Sequence, residues 1–256
     1  MTGDPDFIDV GGVPIAYRRA AGLAPGIVWL GGYRSDMRGT KAEALAGWAG
    51  RNGRAYLRHD YSGHGESGGV FEEGTISTWL AQSLAVLRAF SNGPQILVGS
   101  SMGAWIALRM VAELERAGER GRVAGLVLIA PAPDFSIDLV EPRLTPDMRR
   151  RLETHGFIEE PSAYGSDPTI YTRALIEDGR ANRVLGAPID THCPVHVLQG
   201  MADPDVPYQH ALKLVGLLPS DDVTLSLVPD GDHRLSRPQD LAMLERALDA
   251  MLARVG

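Results

Sequence analysis

Residues 96–103 read ILVGSSMG, a short apolar run that enters a Gly-x-Ser-x-Gly motif and continues into a helical pattern. This order predicts a strand, a tight turn and a helix, which together expose one serine hydroxyl at the carboxyl end of a sheet. Gly99 and Gly103 flank the turn, where a Cβ atom would crowd the crossing of the strand and the helix. Ser101, at the centre of the motif, is therefore the predicted nucleophile.

The same motif occurs a second time, at residues 65–69, which read GESGG. The preceding residues cannot form a buried strand and the following ones do not begin a helix, so we predict a glycine-rich loop here. His59, Asp60 and His64 stand around this loop and precede Ser101, which is the wrong chain order for the base of a serine nucleophile. We predict that they brace the loop.

The composition favours one soluble globular domain. With 256 residues, of which 44% are hydrophobic, the chain can bury one sizeable core, so we expect a single domain over residues 1–256. A net charge of −7 argues against nucleic acid as a partner. No apolar stretch approaches the roughly 18 residues of a membrane span.

Cysteine usage and the first residues bear on the compartment. The single cysteine, Cys193, excludes an intramolecular disulfide and fits a reducing environment. The start of the chain has neither the charged and apolar segments of a secretory signal nor the Arg-rich character of a transit peptide. We therefore expect a cytoplasmic protein, and the sequence does not indicate its oligomeric state.

Strand and helix patterns alternate along most of the chain, which predicts an α/β fold with a mostly parallel central sheet and helices on both faces. The predicted strands, of which the first two form a hairpin, are residues 7–10, 13–18, 27–30, 55–59, 95–98, 123–130, 195–199 and 223–228. The predicted helices are residues 77–90, 102–114 and 237–254.

Residues 131–188 interrupt this alternation. The segment is rich in proline, arginine and acidic residues, contains no clear strand pattern, and has short helical patterns at 145–154 and 169–177. An insertion of this length between two strands of a parallel sheet is usually functional. We predict a helical cap over the edge of the sheet at about residues 131–188.

A serine nucleophile needs a base to remove its proton and an acid to orient that base, and in this fold they follow in the order serine, acid, histidine. His233 lies between the last strand and the last helix, so it is expected at the same sheet edge as Ser101. Asp203 follows the strand at 195–199 and is the preferred acid. Asp134 and Asp205 are the alternatives.

The negative charge that develops on a substrate carbonyl oxygen needs two backbone N–H donors. One belongs to the residue after the nucleophile, Met102, and the other to the loop after the strand at 27–30. That loop reads Gly31-Gly32-Tyr33, and we assign the second donor to Tyr33.

A metal site near residue 193 is not expected. His192 and His196 bracket the start of a strand, where four residues span about 13 Å, too far for both side chains to bind one ion. Cys193 is expected to pack beside Pro194. Acyl transfer through serine needs neither a metal nor a cofactor, and none is predicted.

Four segments together resemble the palmitoyl-protein thioesterase / mycophenolic-acid acyl-glucuronide esterase family of the α/β-hydrolase superfamily: residues 32–42, 60–67, 93–105 and 232–234. The resemblance covers most of the core and is weak through the cap. It implies Ser101, Asp203 and His233 as a catalytic triad, with Tyr33 and Met102 at the oxyanion hole. Gln199-Gly200 stands where relatives often have His-Gly.

The predicted activity is that of a serine hydrolase which cleaves carboxylic acyl esters or S-acyl thioesters through an acyl-enzyme on Ser101. Its substrate would be a small-molecule acyl ester or thioester, or an acylated protein. Alternatives that use the same triad are an acyltransferase and a C–C-bond hydrolase. A further alternative is a binding protein of the same fold without catalysis.

Overall fold

The computed structural model describes residues 3–162, 167–218 and 222–256. In these ranges the strands are β1 (Asp6–Val10), β2 (Val13–Ala20), β3 (Leu23–Leu30), β4 (Arg54–His59), β5 (Gln95–Ser100), β6 (Val123–Ile129), β7 (Phe157–Glu160), β8 (Thr169–Thr172), β9 (Val195–Gly200) and β10 (Val223–Val228). The α-helices are α1 (Thr40–Arg51), α2 (Ile76–Phe90), α3 (Met102–Arg116), α4 (Pro146–His155), α5 (Arg173–Ala181), α6 (Tyr208–Val215) and α7 (Pro238–Val255).

One sheet of eight strands carries the fold, in the order β1-β2-β4-β3-β5-β6-β9-β10. From β4 to β10 all neighbouring strands pair in parallel, whereas β1 pairs antiparallel with β2 and β2 antiparallel with β4. The carboxyl ends of β3, β5, β6, β9 and β10 therefore meet at one edge. The predicted α/β-hydrolase architecture with a mostly parallel sheet is confirmed.

Helices cover both faces of this sheet, because successive residues of a strand point to opposite sides. In β3, Val28 and Leu30 belong to the cluster of buried side chains that includes α2 and α3. Ile27 and Trp29 belong to the other cluster, with α1 and α7. The inner strands β3, β5, β6 and β9 are buried on both faces over most of their length, which explains why they read as continuous apolar runs.

The eight predicted core strands and three predicted helices are all present, with ends that differ by a few residues. The sequence pattern does not predict α1 and α6. The buried face of α1 consists of two alanines, a leucine and a tryptophan, which is a weak amphipathic signal, and α6 has only 8 residues. Among the described residues, no helix combines the length and apolar character that a membrane crossing requires.

Between β6 and β9, the prediction of a cap without strands is wrong. Strands β7 and β8, of four residues each, pair antiparallel as a separate two-stranded sheet. The helical pattern predicted at 169–177 is in fact β8 followed by α5, which begins after its N-cap residue Thr172. Strands this short have too few residues for a period to be recognised. Residues 163–166 of the predicted cap lie outside the described residues.

Side-chain hydrogen bonds attach the end of this segment to the core helices. Trp105 of α3 donates its indole N–H to the carbonyl of Asn182 at 2.9 Å. Asp178 of α5 accepts from both the backbone N–H (2.8 Å) and the hydroxyl (2.6 Å) of Ser77 in α2. The segment thus has a defined position over the carboxyl edge of the sheet.

Candidate active site

Ser101 lies on the tight turn between β5 and α3, with a backbone φ of 53° and ψ of −117°. A residue with a Cβ rarely adopts these angles, and such a conformation costs on the order of 1–3 kcal/mol. Backbone hydrogen bonds from Ser101 N to Ile129 O (2.8 Å) and from Ala132 N to Ser101 O (3.2 Å) hold the turn against β6. This backbone conformation presents the serine hydroxyl at the carboxyl edge of the sheet, where it contacts His233 Nε2.

The two glycines of the motif allow the chain to cross itself closely. A Cβ on Gly99 would overlap the carbonyl oxygen of Gly103, and a Cβ on Gly103 would overlap the carbonyl oxygens of Leu30 and Gly31. All of these obstacles are backbone atoms, which cannot rotate away. The predicted steric need for glycine on both sides of Ser101 is confirmed.

Replacing Gly103 by alanine is expected to destabilise the protein by at least about 3 kcal/mol, because α3 must move away from β3 to make room for the methyl group. For a chain of this size we expect the melting temperature to fall by roughly 6–12 °C. Gly50→Ala is the matched control, since a Cβ at this exposed position in α1 meets nothing within 4 Å. That variant should be as stable as the parent or slightly more stable. Circular dichroism melting curves measure both, and equal melting temperatures would contradict the steric argument.

His233 and Asp203 complete a hydrogen-bonded chain that starts at Ser101. His233 Nε2 lies 3.1 Å from Ser101 Oγ, and His233 Nδ1 lies 2.8 Å from Asp203 Oδ2. A carboxylate can only accept, so Nδ1 carries the proton and Nε2 is free to accept the serine proton. The arrangement has the geometry of a nucleophile, a base and an orienting acid.

Asp203 is held from several sides. Its Oδ1 accepts hydrogen bonds from the backbone N–H groups of Asp205 and Val206, both at 2.9 Å. The loops that carry Asp203 and His233 approach closely, because Gly200 has no Cβ that would overlap the carbonyl of Gly231. The acid and the base are therefore fixed relative to each other by the backbone.

The two alternative acids have other contacts. Asp134 is fully buried and accepts from the backbone N–H groups of Val184 and Leu185, so it holds the end of the segment between β6 and β9. Burial raises the pKa of Asp134. Asp205 contributes its backbone N–H to Asp203. Asp203, the preferred candidate, is the one for which the 2.8 Å contact with His233 Nδ1 is observed.

Gln199 is a contact of the acid that sequence reasoning missed. This fully buried side chain donates from Nε2 to Asp203 Oδ2 at 3.2 Å, and to the carbonyls of Gly200 and Val206. The sequence feature that could have indicated this contact is Gln199-Gly200 itself, which stands at the end of β9 where relatives often have His-Gly. Gln199 therefore belongs to the support of Asp203.

The two residues predicted as oxyanion donors belong to segments that adjoin Ser101. Met102 is the first residue of α3, where helical N–H groups have no partner within the helix. Tyr33 follows Gly32, whose position is so close to the turn that a Cβ there would lie 3.3 Å from Ser101 Cβ. Neither N–H donates to another group among the described residues. Both are therefore available to a substrate oxygen.

A cavity of about 690 Å³ opens above Ser101 and His233. Its apolar lining residues include Phe135, Leu139, Val140 and Tyr171, which come from the segment after β6. Its charged lining residues include the cations Arg34, Lys41 and Arg234 and the carboxylates Asp36 and Glu160. Burial lowers the pKa of Lys41 to about 8, and its ammonium donates to the carbonyl of Arg234, next to His233. The cavity next to Ser101 is thus lined by apolar side chains and by charged side chains of both signs.

The residues weighed as metal ligands have other partners. His192 pairs with Glu115 and Asp190, whereas His196 Nε2 contacts Ser226 Oγ at 3.0 Å. Among the described residues, one group of potential ligands has its atoms within 4.8 Å of one another, namely Asp203, Asp205 and His233. Two of its members already hydrogen-bond to each other, as the base and its orienting acid require.

Sequence and structure comparisons point to one family. The profile of the alpha/beta hydrolase family matches residues 23–246. The mouse (Mus musculus) protein named palmitoyl-protein thioesterase ABHD10, mitochondrial, is 35% identical over 242 residues, which are 93% of this chain and 78% of the relative. A crystal structure from Agrobacterium vitis S4 is 56% identical with a TM-score of 0.93, over 96% of this chain and 97% of its own. The structure of alpha/beta hydrolase domain-containing protein 10 from mouse is 32% identical with a TM-score of 0.88, over 99% and 100% of the two chains.

Proposed function

The chain belongs to the alpha/beta hydrolase family, and we propose that it cleaves carboxylic acyl esters or S-acyl thioesters through an acyl-enzyme on Ser101. The relative named as a palmitoyl-protein thioesterase supports an esterase or thioesterase activity. The observation that carries the proposal is the chain of contacts from Ser101 Oγ to His233 (3.1 Å) and on to Asp203 (2.8 Å), below an open cavity.

In the first half of the reaction, His233 takes the proton of Ser101 as the serine oxygen attacks the acyl carbon. Asp203 stabilises the imidazolium that forms. The oxyanion of the tetrahedral intermediate accepts hydrogen bonds from the N–H groups of Tyr33 and Met102, each typically worth about 2.7–4 kcal/mol in the transition state. The intermediate collapses when His233 returns the proton to the leaving alcohol or thiol.

In the second half, water occupies the place of the leaving group. His233 takes a proton from this water, which attacks the acyl-serine, and the same two N–H groups stabilise the second oxyanion. Collapse returns a proton from His233 to Ser101 Oγ and releases the carboxylic acid. Apart from the substrate and water, every group named in these steps belongs to this chain.

The mixed lining of the cavity suits a substrate that has an acyl chain and a polar leaving group. Apolar residues such as Phe135, Leu139 and Val140 would contact the acyl chain, because burial of each CH₂ group contributes about 0.8 kcal/mol. Polar residues of the lining would contact the leaving group. A small-molecule ester or thioester fits this lining, and so does an acylated cysteine of a protein.

The direct test is covalent labelling of the purified protein with a fluorophosphonate, followed by intact-mass analysis and peptide mapping. We expect one adduct, on Ser101, and hydrolysis of p-nitrophenyl butyrate that stops as the adduct forms. A folded protein without an adduct on Ser101 would contradict the proposed mechanism. Acyl transfer to added alcohols would indicate an acyltransferase, and cleavage of diketones without ester hydrolysis would indicate a C–C-bond hydrolase.

Two further parts of the proposal concern the whole chain. We propose one domain over residues 1–256, in which the segment at about 131–188 is the cap. A cytoplasmic location stays a prediction from the composition of the chain, and the mouse relative is named as mitochondrial. Fluorescence microscopy of the tagged protein in its own cells would distinguish these locations.

A further inference from the structure

Residues 31–37, which follow β3 and are called the oxyanion loop below, have no regular secondary structure of their own. The Tyr33 N–H can serve as an oxyanion donor only if this loop keeps one conformation, because a misplacement of about 1 Å can cost a factor of about 100 in rate. The groups that hold the loop therefore bear on catalysis.

Three side chains of the segment after β4 contact this loop at three successive points. The Tyr61 hydroxyl donates to the carbonyl of Gly31 at 3.1 Å. Arg34 donates its backbone N–H to His64 Nε2 at 3.2 Å, and Met37 donates its backbone N–H to Asp60 Oδ1 at 2.6 Å. These residues directly precede the second Gly-x-Ser-x-Gly match. The segment that resembled a second nucleophile turn thus braces the first one.

The surroundings of His64 hold its ring in the form that accepts a hydrogen bond at Nε2. Its Nδ1 lies 3.1 Å from the carbonyl of Ser62, which can only accept, so Nδ1 carries the proton and Nε2 has a free lone pair. The edges of Tyr61, Phe71 and Trp79 enclose the ring, with centroids 5.0–5.5 Å away. Burial lowers the pKa of His64 to about 4, so the ring is neutral at neutral pH.

The contact lies at a strained point of the oxyanion loop. Arg34 has a φ of 60°, in the left-handed region that side chains with a Cβ seldom adopt. Its N–H belongs to the peptide group that joins it to Tyr33. A hydrogen bond at this N–H fixes the peptide plane that follows Tyr33. The side chain of Tyr33 is held as well, because its hydroxyl donates to the carbonyl of Ile170 in β8.

We propose that His64 is a positioning residue, which holds the Tyr33 N–H in the oxyanion hole by accepting the backbone N–H of Arg34. Tyr61 and Asp60 support the same loop at its two ends. This inference rests on the proposed function, because it assigns a task only if Ser101 and Tyr33 act on an acyl carbonyl.

The test compares His64→Leu, which removes the acceptor, with His64→Gln, whose amide oxygen can take the place of Nε2. With p-nitrophenyl butyrate, we expect His64→Leu to lower kcat by about 10- to 100-fold, less than the loss of an oxyanion donor itself, with KM changed less than threefold. The Ki of a trifluoromethyl ketone, which forms an oxyanion on Ser101, should rise by the same factor as kcat falls. His64→Gln should recover most of both losses.

His59→Leu is the matched control. His59 is buried in the adjacent strand and contacts Ser83, with no hydrogen bond to the oxyanion loop. Its replacement should reduce stability and leave kcat and the ketone Ki within threefold of the parent. If His64→Leu does not fold, Tyr61→Phe decides, because it removes one hydroxyl and should lower kcat at constant KM.

The outcomes separate this inference from the proposed function. If the parent protein is not labelled on Ser101, the proposed function fails. If the parent is labelled, and His64→Leu and Tyr61→Phe change kcat and the ketone Ki no more than His59→Leu does, the positioning role of His64 is wrong. A rise in KM that accounts for the whole effect would contradict it as well.

Discussion

Ser101→Ala is expected to lower kcat for ester hydrolysis by about five to six orders of magnitude, since no covalent intermediate can form without the serine oxygen. The protein should stay folded, because alanine removes one half-buried hydroxyl and leaves the backbone hydrogen bonds that hold the turn. KM should change little. Steady-state hydrolysis of p-nitrophenyl butyrate and the loss of fluorophosphonate labelling measure the effect.

Ser67→Ala is the natural comparison, because Ser67 occupies the same place in the second Gly-x-Ser-x-Gly match. Its hydroxyl accepts from Ala16 N at 2.8 Å and donates to the carbonyl of Asp60 at 2.7 Å, which is a structural task. We expect reduced stability, retained labelling and a kcat within tenfold of the parent. Equal losses in the two variants would contradict the assignment of Ser101.

The second large effect is expected for Asp203→Asn, which should lower kcat by about 10⁴-fold. The amide can donate a hydrogen bond to His233 Nδ1, and the imidazole proton then moves to Nε2, where it blocks the acceptance of the Ser101 proton. The amide oxygen can still accept from the backbone N–H groups of Asp205 and Val206, whereas the hydrogen bond from Gln199 to Oδ2 is lost, so we expect a folded protein of reduced stability. Stopped-flow measurement of the acylation burst separates this loss from a change in binding.

The other two candidate acids provide controls for Asp203. Asp205→Asn leaves the backbone N–H that holds Asp203 in place, so we expect less than a tenfold loss of kcat. Asp134→Asn removes a carboxylate that binds the backbone of Val184 and Leu185, so it should lower the free energy of unfolding more than kcat. A 10⁴-fold loss in Asp134→Asn, with Asp203→Asn active, would reverse the assignment.

Local sterics explain why the tight turn at Ser101 could be recognised from the sequence. A Gly-x-Ser-x-Gly motif indicates a nucleophile only between a buried strand and a helix, and both patterns are visible in the residues next to Ser101. The inner β-strands of the core could also be predicted from residues close together in the chain, because burial on both faces requires continuous apolar runs. Strands β7 and β8 could not be predicted, since they have four residues each and pair with each other, which leaves no recognisable period in the sequence.

The sequence by itself determined the order of the strands along the chain, the strained serine between two glycines, and the small set of acids and histidines that chain order allows. Each depends on residues close together in the chain. Only the tertiary structure decided which aspartate reaches His233, that Gln199 supports it, and that residues 60–64 hold the oxyanion loop. These contacts join residues as far apart as Ser101 and His233, separated by 132 positions, and no local preference encodes which of them meet.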